Sequence, residues 1–116
     1  MAWQPLVMDQ QWPAKVFDVH CTACPRLAAF HEQNRHKFPD HFNGPVPPFG
    51  ASEAELLIVG LAPGLHGANR TGRPFTGDYC GDLLYSSLNK FGFANKPVSS
   101  AVGDGMQLFN TRVSNA

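Results

Sequence analysis

A short apolar run predicts the one strand that organises this sequence. Residues 56–59 read Leu-Leu-Ile-Val, follow Glu53 and Glu55, and end at Gly60. Continuous apolar runs of this length, bounded by a turn residue, are typical of strands that are covered on both faces. We therefore expect a strand over 56–59 that is buried on both sides of its sheet.

The segment after this strand is far longer than a connection needs to be. Residues 60–81 contain six glycines and two prolines and have almost no apolar periodicity. Loops between a strand and a helix usually take about five residues. Because long loops on a rigid scaffold often carry function, we expect this glycine-rich loop, residues 60–78, to hold the functional site.

The spacing of apolar residues predicts two helices and a second strand. The first helix covers 25–37, with Pro25 suited to its first turn, and the second covers about 82–91, with Gly92 just beyond its end. Residues 106–115 predict the second strand. The order strand, helix, strand indicates a right-handed parallel crossover and hence an α/β fold with a parallel sheet.

Two other segments give weaker signals. Residues 1–17 lack clear periodicity and predict a short-helical lead-in at most. Residues 38–50 contain four prolines and two glycines, which favours an extended, rigid connection.

Charge and length exclude several classes of protein. Nine basic and nine acidic side chains cancel, so no overall positive field would steer the chain to a polyanion, and any contact with nucleic acid must come from a local site. No apolar run approaches the roughly 20 residues that span a bilayer, and the N-terminus lacks the pattern of a signal peptide. We expect one domain, a cytoplasmic location and no membrane contact.

Cysteine usage favours metal or redox chemistry. Cys21 and Cys24 form a Cys-x-x-Cys pair, and the total of three cysteines is odd, which argues against a disulfide framework. A zinc site stays a minor alternative, because the nearby histidines lack zinc-finger spacing relative to this pair. Those histidines are His20, His31, His36 and His41.

The glycine-rich loop offers the parts of a base pocket. It has neither the Gly-Lys-Ser/Thr of a P-loop nor a Gly-x-Gly-x-x-Gly fingerprint, which argues against nucleotide cofactors. Its useful side chains are an aromatic ring, a carboxylate and three polar or cationic groups: Phe75, Asp78, Asn69, Arg70 and Arg73. A flipped base needs such stacking and edge contacts, and phosphates need amides and arginine.

A plainer interpretation of the same loop stays open. Phe75 could be packed core, and Asp78 could be the N-terminal cap of the next helix. In open parallel sheets, however, ligands gather at the carboxyl ends of the strands. The loop and Asn115 are both expected at that edge.

The chain resembles the family 5 (type B) uracil-DNA glycosylases, which are relatives of the thermostable family 4 enzymes. The resemblance rests on residues 21–27, Cys-Thr-Ala-Cys-Pro-Arg-Leu, on residues 45–50, Pro-Val-Pro-Pro-Phe-Gly, and above all on residues 60–78. It covers nearly all of the chain after Cys21 but only the first half of the family's domain. It implies a three-layer αβα fold and hydrolysis of the N-glycosidic bond of uracil, and of other deaminated bases such as hypoxanthine, in DNA.

The resemblance also implies roles for individual residues. Asp78 would position or activate water and stabilise the oxocarbenium-like sugar, while Phe75 would stack on the base. Asn115 is similar to an asparagine that reads the pyrimidine edge, although a turn or cap residue explains it equally well. The loop backbone would bind the uracil oxygens through Gly60, Leu61, Ala62, Pro63 and Gly64, with Ala62 standing where most uracil glycosylases have a polar residue. The expected DNA contacts are His66, Asn69, Arg70 and Arg73.

Cys21 and Cys24 resemble the first two ligands of the family's 4Fe–4S cluster, which needs four thiolates. Cys80 stands where the family has a small residue that is not a ligand. We expect residues 1–116 to be the N-terminal portion of a single glycosylase domain, monomeric when full length, and the portion alone to be unstable and inactive. The alternative is a non-catalytic nucleic-acid or nucleotide-binding module with a cysteine-based metal site.

Overall fold

A computed structural model of the chain describes residues 18–116, so the expected lead-in over 1–17 lies outside the described residues. The described part contains three helices and three strands. In chain order they are α1 (Pro25–Lys37), β1 (Phe49–Gly50), β2 (Leu56–Gly60), α2 (Ala68–Thr71), α3 (Tyr79–Lys90) and β3 (Thr111–Asn115).

The strands form one mixed sheet in the order β1-β3-β2. Strands β2 and β3 are parallel, with Leu56 opposite Thr111 and Gly60 opposite Asn115, which confirms the predicted parallel pair with a helix between its strands. The predicted second strand was too long, because only its last five residues form β3, while Leu108 makes an isolated bridge with Ala94. Strand β1 pairs antiparallel with β3; sequence analysis missed it, because two residues after a run of prolines are too short to show alternation.

The core lies between one face of this sheet and helix α3. Phe49, Val113 and Ile58 stand in one row across the three strands, since Val113 is the register partner of both others. Tyr85 and Leu88 of α3 belong to the same buried cluster. Helix α3 starts earlier than the sequence predicts, at Tyr79 instead of near 82, and ends at Lys90; helix α1 has the predicted bounds.

The prediction that the first strand is buried on both faces is wrong for the described residues. Ile58 packs against the core, whereas Leu57 and Val59, which point to the opposite face, are each 57% exposed. Strand β2 is at the sheet edge, and nothing within 18–116 buries that second face. The expected third layer is therefore not completed by these residues.

None of the helices in residues 18–116 has the length and apolar character that crossing a bilayer requires.

Candidate active site

The carboxyl ends of β2 and β3 bring Gly60 and Asn115 together as predicted. The two residues are register partners, and the chain is held there by a bond from the Ala116 N–H to the Gly60 carbonyl, 2.8 Å. A Cβ at Gly60 would come within 2.6 Å of Asn115 Oδ1 and 2.7 Å of Phe75 Cζ. The amide and the aromatic ring therefore both lie directly on the Gly60 backbone, and only glycine leaves room for them.

Phe75 is held in an unfavourable backbone conformation. Its φ is +54°, in the left-handed region that bulky residues rarely adopt. Gly81 of α3 lies so close that a Cβ there would be 1.8 Å from the Phe75 carbonyl oxygen, and the Tyr85 hydroxyl donates to the Pro74 carbonyl at 2.7 Å. The ring is partly buried and packs against the core, as the plainer interpretation expects, and its Cζ also lies against Gly60.

Asp78 occupies the N-cap position of α3, yet its carboxylate makes no capping hydrogen bond. The cap interpretation therefore does not account for this side chain. The carboxylate lies against the loop instead: a Cβ on Gly67 would be 2.2 Å from Asp78 Oδ2, and one on Gly64 would be 3.0 Å from the same atom. Both glycines make the space that the carboxylate fills.

Two buried polar atoms at this site lack a hydrogen-bond partner within residues 18–116. They are Asp78 Oδ1 and Asn115 Nδ2. Leaving a buried donor or acceptor unsatisfied costs about 1–3 kcal/mol, and more for a charged group. Buried polar atoms without a hydrogen-bond partner are rare in native proteins and call for a specific explanation. One acceptor and one donor around the same glycine-rich loop are what a polar ligand would satisfy. Residues 61–63, at the start of this loop, are exposed, so a ligand could reach this part of the loop.

The structure corrects the expected DNA contact at Arg73. This side chain is 1% exposed and lies over the Phe49 ring at 4.4 Å. Its Nη1 donates to Asp104 Oδ1 at 3.0 Å and to Ser99 Oγ at 2.8 Å. Arg73 therefore joins the loop to the segment before β3 and is not at a surface that DNA could reach.

The surroundings of Asp104 keep its carboxyl group ionised. Burial by itself would raise the pKa of this carboxyl, but the backbone N–H groups of Ser100 and Met106, each at 2.9 Å, and the Arg73 guanidinium outweigh burial and hold the pKa at about 2. The ion pair is thus part of the scaffold.

Asn69, another expected DNA contact, is also internal. It is 7% exposed, and its Nδ2 donates to Asn43 Oδ1 at 3.0 Å and to the Leu65 carbonyl at 3.2 Å. It fastens the 38–44 segment to the loop. His66 and Arg70, in contrast, are exposed, and the Arg70 Nε donates to the His66 carbonyl at 2.7 Å. Of the four expected contacts, these two remain available.

Sequence analysis missed a chain of side chains behind His66. His66 Nδ1 lies 3.0 Å from His41 Nε2, and His41 Nδ1 lies 3.0 Å from Asp40 Oδ1. The two histidines are far apart in sequence, so no motif spacing could have joined them.

Cys21 and Cys24 are free and exposed just before α1, and Cys80 is free and exposed on α3. Within residues 18–116 no group of three or more His, Cys, Asp or Glu side chains is arranged to hold a metal ion. The Cys-x-x-Cys pair is accessible and correctly spaced for two ligands of an iron–sulfur cluster. The described residues therefore fit half of the four-thiolate set that a 4Fe–4S cluster requires.

Comparison with known proteins identifies the family. A family model described as the uracil DNA glycosylase superfamily matches residues 47–114, which include β1, β2, the glycine-rich loop, α3 and nearly all of β3. The chain belongs to this superfamily. The α/β fold class expected from the sequence is thereby confirmed.

Curated relatives agree with this assignment. The chain is 48% identical over 99 residues to a type-5 uracil-DNA glycosylase from Mycobacterium leprae, a match that covers 80% of this chain and 43% of the relative. Proteins with the same description from Thermus thermophilus and Pyrobaculum aerophilum are 46% and 40% identical over 94 residues, covering 77% and 78% of this chain and 42% of each relative. The matched region thus spans well under half the length of these relatives.

Proposed function

We propose that the protein to which this chain belongs is a DNA-repair glycosylase that hydrolyses the N-glycosidic bond of uracil, and of other deaminated bases such as hypoxanthine, in DNA. The observation that carries the proposal is a pair of buried, unpartnered atoms: Asn115 Nδ2 at the carboxyl end of β3, and Asp78 Oδ1 beside the glycine-rich loop. Superfamily membership and the names of the curated relatives support it.

Asp78 would act on the sugar and the water. Breaking the glycosidic bond leaves positive charge on the sugar and negative charge on the departing base, and catalysis depends on fixed groups that oppose both charges. A carboxylate accepts hydrogen bonds only, so the unpartnered Oδ1 of Asp78 suits an attacking water or the oxocarbenium-like sugar. Its contact with Gly64 and Gly67 would keep it in position during the reaction.

Asn115 and Phe75 would hold the base. The edge of uracil alternates acceptor, donor and acceptor, and one amide can both donate and accept. Asn115 Nδ2 would donate to a uracil oxygen, and the Phe75 ring, which lies on Gly60, would stack on the flipped base. The exposed residues Leu61 and Ala62 would offer their backbone N–H groups to the anion that develops on the departing base.

The phosphate contacts that the described residues offer are His66 and Arg70, both exposed beside the loop. Contacts to phosphate position a protein on DNA without reading its sequence. The neutral charge balance of the chain suits such local recognition.

We propose that Cys21 and Cys24 bind two irons of a 4Fe–4S cluster, and that these 116 residues are the N-terminal part of a longer glycosylase domain that supplies the other two thiolates. The limited span of the match on the relatives and the exposed apolar face of β2 at Leu57 and Val59 support a larger domain. The cluster would hold the segment before α1 in place, and the residues that act on substrate lie on other elements.

The proposal is tested by incubating the intact protein with a uracil-containing duplex and cleaving abasic sites with alkali. We expect strand cleavage at uracil, and a loss of about 10²- to 10⁴-fold in turnover for Asp78→Asn, about 3–5 kcal/mol of barrier, because the general base is lost. Asp82→Asn, on the exposed first turn of the same helix, is the matched control and should keep full activity.

One outcome would contradict the role of Asp78, and another would contradict the glycosylase itself. If Asp78→Asn turned over as fast as the control, the carboxylate would not be catalytic. If the intact protein bound the duplex but never produced abasic sites, it would be a non-catalytic nucleic-acid-binding module.

A further inference from the structure

Behind the exposed His66 lies a chain of three hydrogen-bonded side chains. Asp40 Oδ1 contacts His41 Nδ1 at 3.0 Å, and His41 Nε2 contacts His66 Nδ1 at 3.0 Å. The His41 side chain is only 8% exposed, whereas that of Asp40 is 68% exposed. The chain thus runs from a surface carboxylate through a buried imidazole to a second imidazole beside the glycine-rich loop.

Aromatic packing fixes both imidazoles. The His41 ring stacks on Phe38 with 5.1 Å between centroids, and the His66 ring meets Phe38 edge-on at 5.4 Å. The two imidazoles are themselves nearly perpendicular, 5.3 Å apart. Rings held in this way cannot turn to exchange their nitrogens without breaking several contacts.

The carboxylate determines which nitrogens carry protons. The hydrogen bond with His41 lowers the pKa of Asp40, so Asp40 is ionised at neutral pH and accepts only. His41 Nδ1 must then carry a hydrogen. When both imidazoles are neutral, His41 Nε2 is an acceptor, so His66 donates through Nδ1 and its Nε2 is bare.

One added proton changes the outer nitrogen. If it resides on His66, both nitrogens of that ring carry hydrogen. If it resides on His41, that ring donates to His66 Nδ1, and neutral His66 carries its hydrogen on Nε2. In either arrangement His66 Nε2 becomes a donor, and within residues 18–116 no hydrogen bond engages that nitrogen.

We propose that Asp40 and His41 are positioning residues that make His66 Nε2 a proton-dependent hydrogen-bond donor to a phosphodiester of DNA, next to Arg70. This inference rests on the proposed function, because DNA supplies the phosphate. The Arg70 Nε is bonded to the His66 carbonyl, so its guanidinium lies on the same exposed turn and adds a permanent positive charge.

Other charged groups near His41 and His66 either favour or oppose the added proton. Asp40 favours the added proton. The Asp78 carboxylate, which lies against Gly67 next to His66, also favours it. The cations Arg70 and Lys37 oppose it, and the Lys37 Nζ is 5.6 Å from the Phe38 ring. The other titratable groups that line the cavity shared by His41 and α1 are His20 and Cys21 before the helix and His31, Glu32 and Arg35 on it. A phosphate would add one more negative charge and draw the proton onto the pair.

The first experiment needs no DNA. Long-range proton–nitrogen NMR spectra of the intact protein report which ring nitrogens carry hydrogen, between about pH 8 and pH 5, where histidine changes charge. We expect His66 to carry hydrogen on Nδ1 alone at the high-pH end and on Nε2 as well after protonation. His41→Phe, which keeps the stack on Phe38, should remove the Nδ1 preference, and the exposed His36→Gln control should not.

The second experiment adds a short duplex without uracil. In the wild-type protein the midpoint of His66 protonation should rise to higher pH when DNA binds. Asp40→Ala, a change at an exposed side chain that leaves packing intact, removes the carboxylate that sets the His41 tautomer and should weaken DNA binding at about pH 6 by about 3- to 10-fold.

The outcomes separate this inference from the proposed function. A wild-type His66 that carries hydrogen on Nε2 at pH 8, or a His66 tautomer that His41→Phe leaves unchanged, would overturn the positioning role. A duplex that leaves the His66 midpoint unchanged would overturn the phosphate contact. Absence of abasic sites in the uracil assay with all of these results as expected would instead refute the glycosylase while leaving a DNA-binding switch.

Discussion

Two polar regions of the same loop segment are built in opposite ways. Around Arg73, a buried guanidinium is bonded to Asp104 and Ser99 and stacked on Phe49. Around Asp78, a carboxylate lies against two glycines, with one buried oxygen that has no partner within residues 18–116. Both side chains follow the same strand, yet the first is used to hold the chain together and the second is left open for a ligand.

The difference explains how the strained part of the site is maintained. Thr76, next to Phe75, contacts Ser99 Oγ at 2.7 Å, so the same serine that accepts from Arg73 also holds the turn with positive φ. Strain of this kind persists only where the surroundings fix the backbone. The hydrogen-bonded surroundings of Arg73, which we call the bonded region, thus supply the rigidity that the surroundings of Asp78, the open region, need.

Breaking the bonded region should have the largest effect on stability. Arg73→Met removes the buried guanidinium from Asp104 and leaves that carboxylate with only the partly exposed Lys96, whose Nζ lies 3.6 Å from Oδ2. Breaking a buried ion pair by removing one partner typically costs about 3–5 kcal/mol. Arg70→Met, at the exposed neighbour, should change the free energy of unfolding by less than about 0.5 kcal/mol. Urea unfolding of both variants measures the difference. Equal stabilities would mean that Arg73 is not the anchor of the loop.

Filling the open region should affect catalysis more than folding. Gly60→Ala would place a methyl group 2.6 Å from Asn115 Oδ1 and 2.7 Å from Phe75 Cζ, so the ring or the amide must move. Displacement of a binding group by about 1 Å can cost about 10²-fold in rate. We expect a loss of that size in kcat/KM for uracil excision. Gly64→Ala, where the nearest atom is at 3.0 Å, should lose less; the reverse ranking would contradict the assignment of Gly60.

Lowering the pH should weaken the bonded region by a smaller amount. The pKa of Asp104 is lowered from 3.8 to about 2, so its stabilising contribution is complete above about pH 4 and is lost as the pH falls toward 2. Each pKa unit corresponds to about 1.4 kcal/mol, and solvent screening reduces this, so about 1–2 kcal/mol is expected. Urea unfolding across this range should show the loss in the wild type and much less of it in Asp104→Asn, and identical pH profiles would contradict the ion-pair account.

The sequence predicted the elements whose patterns are local. The bounds of α1, the position of β2 and the shared edge of Gly60 and Asn115 follow from apolar runs and from parallel pairing, and the structure has them. Strand β1 could not be predicted, since it forms only through the pairing of Phe49 with Val113, which lies far along the chain.

The burial of polar residues was equally out of reach of the sequence. Arg73 and Asn69 look like surface groups in a glycine-rich loop, and their internal partners Asp104 and Asn43 lie far away in sequence. The exposure of Leu57 and Val59 was missed for the same reason. An apolar run indicates that a strand favours burial, but it does not show which elements pack on the strand.

The most direct test is a titration of the protein with free uracil, followed through the side-chain amide signals of Asn115. If the unpartnered Nδ2 is there to bind the base, its two proton signals should shift with saturating uracil and much less with cytosine. An Asn115→Ala protein, which lacks these signals and so identifies them, should bind uracil more weakly. If free uracil bound, and uracil in DNA were excised normally, while the Asn115 signals stayed in place, the site described by these residues would be contradicted.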